Sequence, residues 1–328
     1  MTDMESRLAE IFARTEQEER TLFEKAGEII RSGGLVGMPT ETVYGLGANA
    51  LDAEAVRKIY LAKGRPSDNP IILHVCDDEM AERCVELNPR ARLLMETFWP
   101  GPLSLVLNAK SLVPLRTRGG LDTAAIRMPN NRIALELIRA SGVPIAAPSA
   151  NISGRPSPTD AQTVIDDIGD NVDMVLDGGP TNVGVESTVL DVTGEDAVLL
   201  RPGGISKEQL EAALHAEVKL PQDGNIIKRS PGTRYRHYAP KIPLVLSAPS
   251  GAAEAANGRK WIWIGVSEPD GEPYKKVIFS NFDEYARELF RVLRFAEGSG
   301  AEVIVAERPS EDGIGRALLD RLIRASGI

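Results

Sequence analysis

Two cysteines, Cys76 and Cys84, and three histidines, His74, His215 and His237, are all the soft metal ligands that this 328-residue chain offers. Without a C-x-x-C pair or clustered histidines, neither a disulfide framework nor a zinc site has material to form. Long apolar runs are also missing. No segment approaches the ~20 apolar residues of a membrane span, and the first 20 residues carry charge instead of a signal-type core. The expectation is a cytoplasmic protein with no membrane partner. No G-x-x-x-x-G-K-[ST] run and no G-x-S-x-G elbow occurs, which removes a P-loop and a serine-hydrolase nucleophile. Neither cysteine has an evident activating partner.

A surplus of positive charge is absent as well. The formal net charge is −9, which argues against affinity that comes from wrapping nucleic-acid phosphates. Residues 18–208 hold 19 basic and 27 acidic side chains, whereas residues 209–241 hold 6 basic and 3 acidic ones. A short basic connector therefore joins two acidic bodies.

What the chain does have is a polar excess beside apolar strands. Gly34 to Gly47 follows the apolar Leu35–Met38 with Thr40, Glu41, Thr42 and Tyr44, more polar chemistry than a core strand needs. From Leu35 onward short β-type runs alternate with helical patterns at 52–63, 89–98, 131–141, 160–168 and 206–216. The strands fall at 35–38, 71–75, 103–107, 123–127, 145–147, 174–176, 187–191 and 198–201. Asp52, Asn88 before Pro89, and Thr159-Asp160 are suitable helix starts. This pattern predicts an α/β catalytic domain over 18–216. Pro- and Gly-rich 217–241 reads as a basic linker. A smaller Rossmann-like α/β domain over 242–328 has strands at 243–247, 261–265, 277–280 and 303–306 and helices at 283–297 and 313–325.

Each motif also has a bland reading. Gly45-Leu46-Gly47-Ala48-Asn49-Ala50 matches G-x-G-x-x-A only superficially, since its glycines precede an acidic helix start. Lys63-Gly64-Arg65 is a serviceable helix C-terminus, with Gly64 as cap and cations favouring the dipole. That does not account for His74, which interrupts the apolar strand 71–75. Pro148 to Thr159 follows a strand with hydroxyls, an amide and Arg155, which suits either a turn or a phosphate site. Similar polar clusters end other strands at Arg127, at Asp177-Gly178-Gly179 before Glu186-Ser187-Thr188, and at Arg201-Pro202-Gly203-Gly204. A cleft holding Lys63, Arg65, Arg127 and Arg201 suits phosphoryl chemistry by positioning and charge neutralisation.

Lys63-Gly64-Arg65, Ser149-Ala150-Asn151 and Ser230-Pro231-Gly232-Thr233-Arg234-Tyr235-Arg236-His237-Tyr238-Ala239-Pro240, in that order, resemble the YrdC-type threonylcarbamoyl-AMP synthases in their long two-domain form. The resemblance runs from about Gly33 to Ser206, through the linker, and more loosely beyond. It implies a YrdC-like twisted mixed sheet with flanking helices. It also implies the reaction of L-threonine, bicarbonate and ATP to L-threonylcarbamoyl-AMP and pyrophosphate, with Mg2+ accompanying ATP and no protein metal site. The product would pass to a separate transferase complex that modifies tRNA, and direct tRNA contact is left open.

Carried over by position, Lys63 and Arg65 would be catalytic. Thr40, His74, Arg127, Ala147 and Ser187 would bind L-threonine. Arg65, Asn69, Thr123, Ser149, Asn151, Ser157, Arg201 and Tyr238 would bind ATP. The linker, with Tyr235 and Tyr238, would close the cleft as a lid. Thr233 stands where the family usually has methionine, a lost apolar contact for that lid. A YrdC-type RNA-binding module without catalysis is the alternative, disfavoured by the acidic charge of residues 18–208. Carbamoyl transfer of the hydrogenase-maturation kind would need cysteine-rich zinc fingers that two cysteines cannot build.

Overall fold

Two sheets organise the chain, which is described by a computed structural model over residues 8–10, 15–221, 229–230 and 237–327. The first sheet is built from β1 (Leu8–Glu10), β2 (Val36–Met38), β3 (Gly45–Asn49), β4 (Leu73–His74), β5 (Leu103–Asn108), β6 (Thr123–Arg127) and β7 (Ile145–Ala146). It continues with β8 (Met174–Asp177), β9 (Thr188–Asp191), β10 (Ala197–Arg201) and β11 (Val218–Lys219). Their order is β1-β8-β2-β3-β7-β4-β6-β5-β9-β10-β11, with parallel and antiparallel neighbours mixed. The second sheet holds β12 (Leu244–Ser247), β13 (Trp261–Gly265), β14 (Lys275–Ile278) and β15 (Val303–Glu307), all parallel in the order β12-β15-β13-β14. Residues 231–236 of the expected lid, with Thr233 and Tyr235, lie outside the described residues.

Several elements escape the sequence pattern. Glu16–Arg31 is a helix opened by a capping box, Thr15 with Glu18. Its buried Leu22, Phe23, Ala26, Gly27 and Ile30 recur at helical spacing, but charges on the other face hide the stripe. A Cβ on Gly27 would stand 2.7 Å from the Ala140 carbonyl carbon, so glycine lets this helix cross closely over Arg132–Ser141. Asp78–Cys84 is a second unexpected helix, capped by Asp77. The would-be nucleotide fingerprint at Gly45 is a strand, β3, and not a phosphate loop. A Cβ on Gly47 would lie 2.9 Å from Ile145 Cγ2 and 3.2 Å from the Val36 oxygen. The glycines there serve strand packing.

The two bodies share a core. Val43 and Val185 from the first body, and Tyr238 from the connector, join the apolar cluster of Ile262, Tyr285, Leu289, Phe290 and Leu318 in the second. Ion pairs rim this contact: Arg294 with Asp167 at 2.7 Å and Arg155 with Glu297 at 2.7 Å. Gly184 sits at its centre with φ +76°, and a Cβ there would approach the Arg287 carbonyl oxygen to 2.1 Å. Gly184→Ala therefore meets both a backbone clash and an unfavourable φ. It is expected to lower stability by about 2 kcal/mol or more, read as an earlier urea-unfolding transition; an unchanged midpoint would show that this contact yields freely.

Candidate active site

Ends of six strands and of one helix meet in one cleft. β4 and β6 run parallel with His74 opposite Arg127, so both strands end at the same level. Thr40 follows β2, Ala147 and Ser149 follow β7, Ser187 precedes β9, and Arg201 ends β10. Lys63 closes the helix Ala53–Lys63, where Gly64 adopts φ +59° and turns the chain into Arg65. All of these line one cleft that is partly open to solvent.

One end of the cleft is organised around Arg127. Its Nε donates to the Gly101 oxygen at 3.1 Å and its Nη1 to Thr42 Oγ1 at 3.1 Å. Thr40 Oγ1 lies 2.8 Å from Thr42 Oγ1 and donates to the Val43 carbonyl at 2.7 Å. Thr42 thus passes the arginine's orientation into the 40–43 turn. Glu41 Oε2 stands 2.5 Å from Arg127 Nη2, an ion pair without hydrogen-bond alignment. His74 is buried and its Nδ1 has no partner among the described residues. Burial, reinforced by the Arg127 charge, pushes its pKa down to about 3, so the ring is neutral.

The other end gathers cations and carbonyls. Lys63 Nζ donates to the Ser149 and Asn151 carbonyls, both at 2.5 Å, with Asn151 Oδ1 at 3.4 Å. Asn151 Nδ2 donates to the Ile152 and Arg155 carbonyls, which holds its oxygen on the lysine side. Burial and then the Arg65 charge hold Lys63 well below the usual lysine range. Burial likewise lowers Arg65 and Arg201 to about 10. Arg65 Nη2 donates to the Pro70 oxygen at 3.0 Å, while its Nη1 has no partner among the described residues. Arg201 donates to the Ser187 carbonyl from Nε at 3.0 Å and from Nη2 at 2.9 Å.

Tyr238 and His237 from the connector also line the cleft, and Ala239 N bonds the Gly154 oxygen at 2.8 Å. Ser157 stands just behind, its hydroxyl donating to Glu186 Oε1 at 2.6 Å. Thr123 and Asn69, like Ser157, are expected nucleotide contacts that do not line the cleft. Thr123 begins β6 opposite Asn108, four residues before Arg127. Asn69 is fully buried, and neither polar atom of its side chain finds a partner among the described residues. Thr42 and Glu186 line the cleft without having been assigned a role, and Glu41 supports it. Glu41 and Thr42 could have been found as polar neighbours of Thr40, and Glu186 as the neighbour of Ser187 in a polar cluster already noted, but nothing local says which groups they meet.

Unpaired polar atoms, buried cations and hydroxyls gathered at the strand ends of a mixed sheet make a polar binding cleft suited to an anionic ligand. A family model described as "Telomere recombination" (Sua5, YciO, YrdC) matches residues 28–203, and one described as "Threonylcarbamoyl-AMP synthase, C-terminal domain" matches 205–327. The threonylcarbamoyl-AMP synthase of Pyrococcus abyssi is 45% identical over 320 residues, covering 92% of this chain and 93% of its own. That of Bacillus subtilis is 43% identical over 321 residues, 92% of each chain. The crystal structure of P. abyssi Sua5 complexed with L-threonine superposes with a TM-score of 0.90 at 42% identity, covering 98% of this chain and 97% of that one. The chain belongs to the threonylcarbamoyl-AMP synthase family.

The neutral histidine has a measurable signature. His74 titrates near its ordinary 6.5 when unfolded but at about 3 when folded. Between these values the unfolded state binds more protons, so stability is complete above pH 6.5 and falls toward pH 3. His74→Asn should flatten part of that fall in urea midpoints measured from pH 7 to 4; an identical pH slope would mean the ring protonates freely when folded.

Proposed function

We propose that this chain makes L-threonylcarbamoyl-AMP and pyrophosphate from L-threonine, bicarbonate and ATP. The observation that carries this reading is a single cleft lined both by the braced Arg127 and by the buried cations Lys63, Arg65 and Arg201. The threonine amine adds to the bicarbonate carbon and water leaves, giving a carbamate. A carbamate oxygen then attacks the α-phosphorus of ATP as the bond to pyrophosphate breaks. Neither step needs a covalent enzyme intermediate, and both depend on orientation.

Arg127 supports bidentate recognition of the threonine carboxylate. Thr40, Thr42, His74 and the Ala147 and Ser187 region form the rest of that pocket. The neutral His74 can take or give a hydrogen bond there without adding charge. Lys63, Arg65 and Arg201 accept the triphosphate and neutralise charge as it moves to the leaving group. Ser149, Asn151, Ser157 and Tyr238 complete the nucleotide side, with Asn69 and Thr123 as further contacts. Tyr238 and His237 narrow the cleft, which protects a carbamate from water.

Among the described residues no three His, Cys, Asp or Glu side chains gather as a metal cage. The cationic lining suits the ATP phosphates, and Mg2+ would arrive bound to those phosphates, where it would offset the rest of their charge. The product would be handed to a separate transferase acting on tRNA. No described helix is long and apolar enough to cross a membrane.

Purified protein should release pyrophosphate from ATP only when both threonine and bicarbonate are present; release indifferent to threonine would refute the assignment. Arg127→Ala should raise the threonine KM about tenfold or more, through loss of a charge-assisted contact, with the ATP KM within about twofold. Equal effects on the two substrates would place Arg127 elsewhere in the reaction.

A further inference from the structure

The most deeply buried charge in the second body reaches back to the cleft. Arg321, on the helix Ile314–Ser326, is 0% exposed. Its Nε meets Glu186 Oε2 at 2.7 Å, and its Nη2 donates to the Pro202 carbonyl at 3.0 Å. Its Nη1 pairs with Asp320 at 2.5 Å. The guanidinium also lies over the Tyr238 ring, 5.5 Å from the centroid. Phe290 of the same body packs on that ring at 5.2 Å.

The groups that Arg321 touches in the first body, Glu186 and Pro202, adjoin Ser157 and Arg201 on the nucleotide side of the cleft. Glu186 lines the cleft and receives the Ser157 hydroxyl on its other oxygen. The next residue, Ser187, takes the Arg201 guanidinium on its carbonyl. Pro202 follows Arg201 directly. Tyr238 holds φ +63°, a left-handed conformation that a non-glycine side chain keeps only where its surroundings enforce it. Burial opposes ionisation of Glu186, yet Arg321, Arg201 and Ser157 outweigh it and hold its pKa below the usual range.

We propose that Arg321 is a positioning residue for the reaction, fixing Glu186 and the Tyr238 ring so that the nucleotide side of the cleft is preformed. This rests on the activity proposed above. Holding the two bodies together does not by itself call for such a group. Buried ion pairs give little net stability compared with apolar packing of the same volume, and the shared apolar cluster already joins the bodies. What a planar, multiply donating cation adds is orientation: one group orders a carboxylate, a backbone carbonyl and an aromatic ring.

The test uses the full chain and the variants Arg321→Met, Arg321→Lys, Glu186→Gln and the Glu186→Gln/Arg321→Met pair. Thermal midpoint, kcat, and KM for ATP and for threonine are measured for each, with ATP affinity by titration. Arg321→Met should raise the ATP KM or lower kcat about tenfold or more, leaving the threonine KM within about twofold. Arg321→Lys should recover part of that loss. Glu186→Gln should reproduce it, and the double variant should be no worse than Arg321→Met alone, as for residues acting through one another. A folded Arg321→Met protein with unchanged ATP KM and kcat, or with both substrates weakened equally, overturns the proposal. If Arg321→Met fails to fold, Glu186→Gln decides alone: an ATP-selective loss supports the proposal and unchanged kinetics overturn it. A wild-type protein inactive with all three substrates overturns the activity itself, whereas an active wild type beside an unaffected Arg321→Met overturns only the role of Arg321.

Discussion

Positive charge held out of water is the constraint on which the rest of the site depends. Lys63, Arg65, Arg127 and Arg201 are each 7% exposed or less, and withdrawing one such ion from water costs several kcal/mol. The fold offsets part of this with backbone carbonyls of Pro70, Gly101, Ser149, Asn151 and Ser187. Two buried carboxylates, Glu41 and Glu186, supply countercharge. The offset is incomplete: Lys63, Arg65 and Arg201 all have depressed proton affinities, and part of the Arg65 fork is unpaired. That remaining positive charge is what an anionic ligand such as the proposed triphosphate would offset.

The same constraint bears on the second body, which packs against residues that line the cleft. A parallel sheet commonly holds anions beyond its strand ends. Here the Glu307 carboxylate occupies that position, accepting the backbone N–H groups of Val266 and Ser267 at 2.6 and 2.8 Å. Its own side chain does what a phosphate would do. The body's connection to the chemistry runs instead through the helices Phe282–Glu297 and Ile314–Ser326, which carry Phe290 and Arg321 to Tyr238 and Glu186.

Much of the fold was readable locally because its elements carry their own start and stop chemistry. The helix Pro89–Phe98 has Asn88 and Pro89, the helix Ala53–Lys63 has Asp52 and Gly64, and both appear with those caps. The helix Glu16–Arg31 was missed although its capping box is present, because the charged face outweighs the apolar stripe over a short window. β3 was missed because glycine weakens strand signals; its glycines are explained only by Ile145, Ala147 and Val36 beside them. β14 appears two residues earlier than its apolar run, as an edge strand of alternating burial.

The sequence by itself determined which residue types lie at the strand ends, and so the polar, cationic character of the cleft. Which of these groups meet was decided only by tertiary structure. Arg127 and Glu41 are far apart in sequence and 2.5 Å apart in space, and Glu186 and Arg321 belong to different bodies. Electrostatic pairing depends on separation and on exclusion of water, and neither is a property of a local segment. Both arise when the strand ends converge and the second body packs against the first.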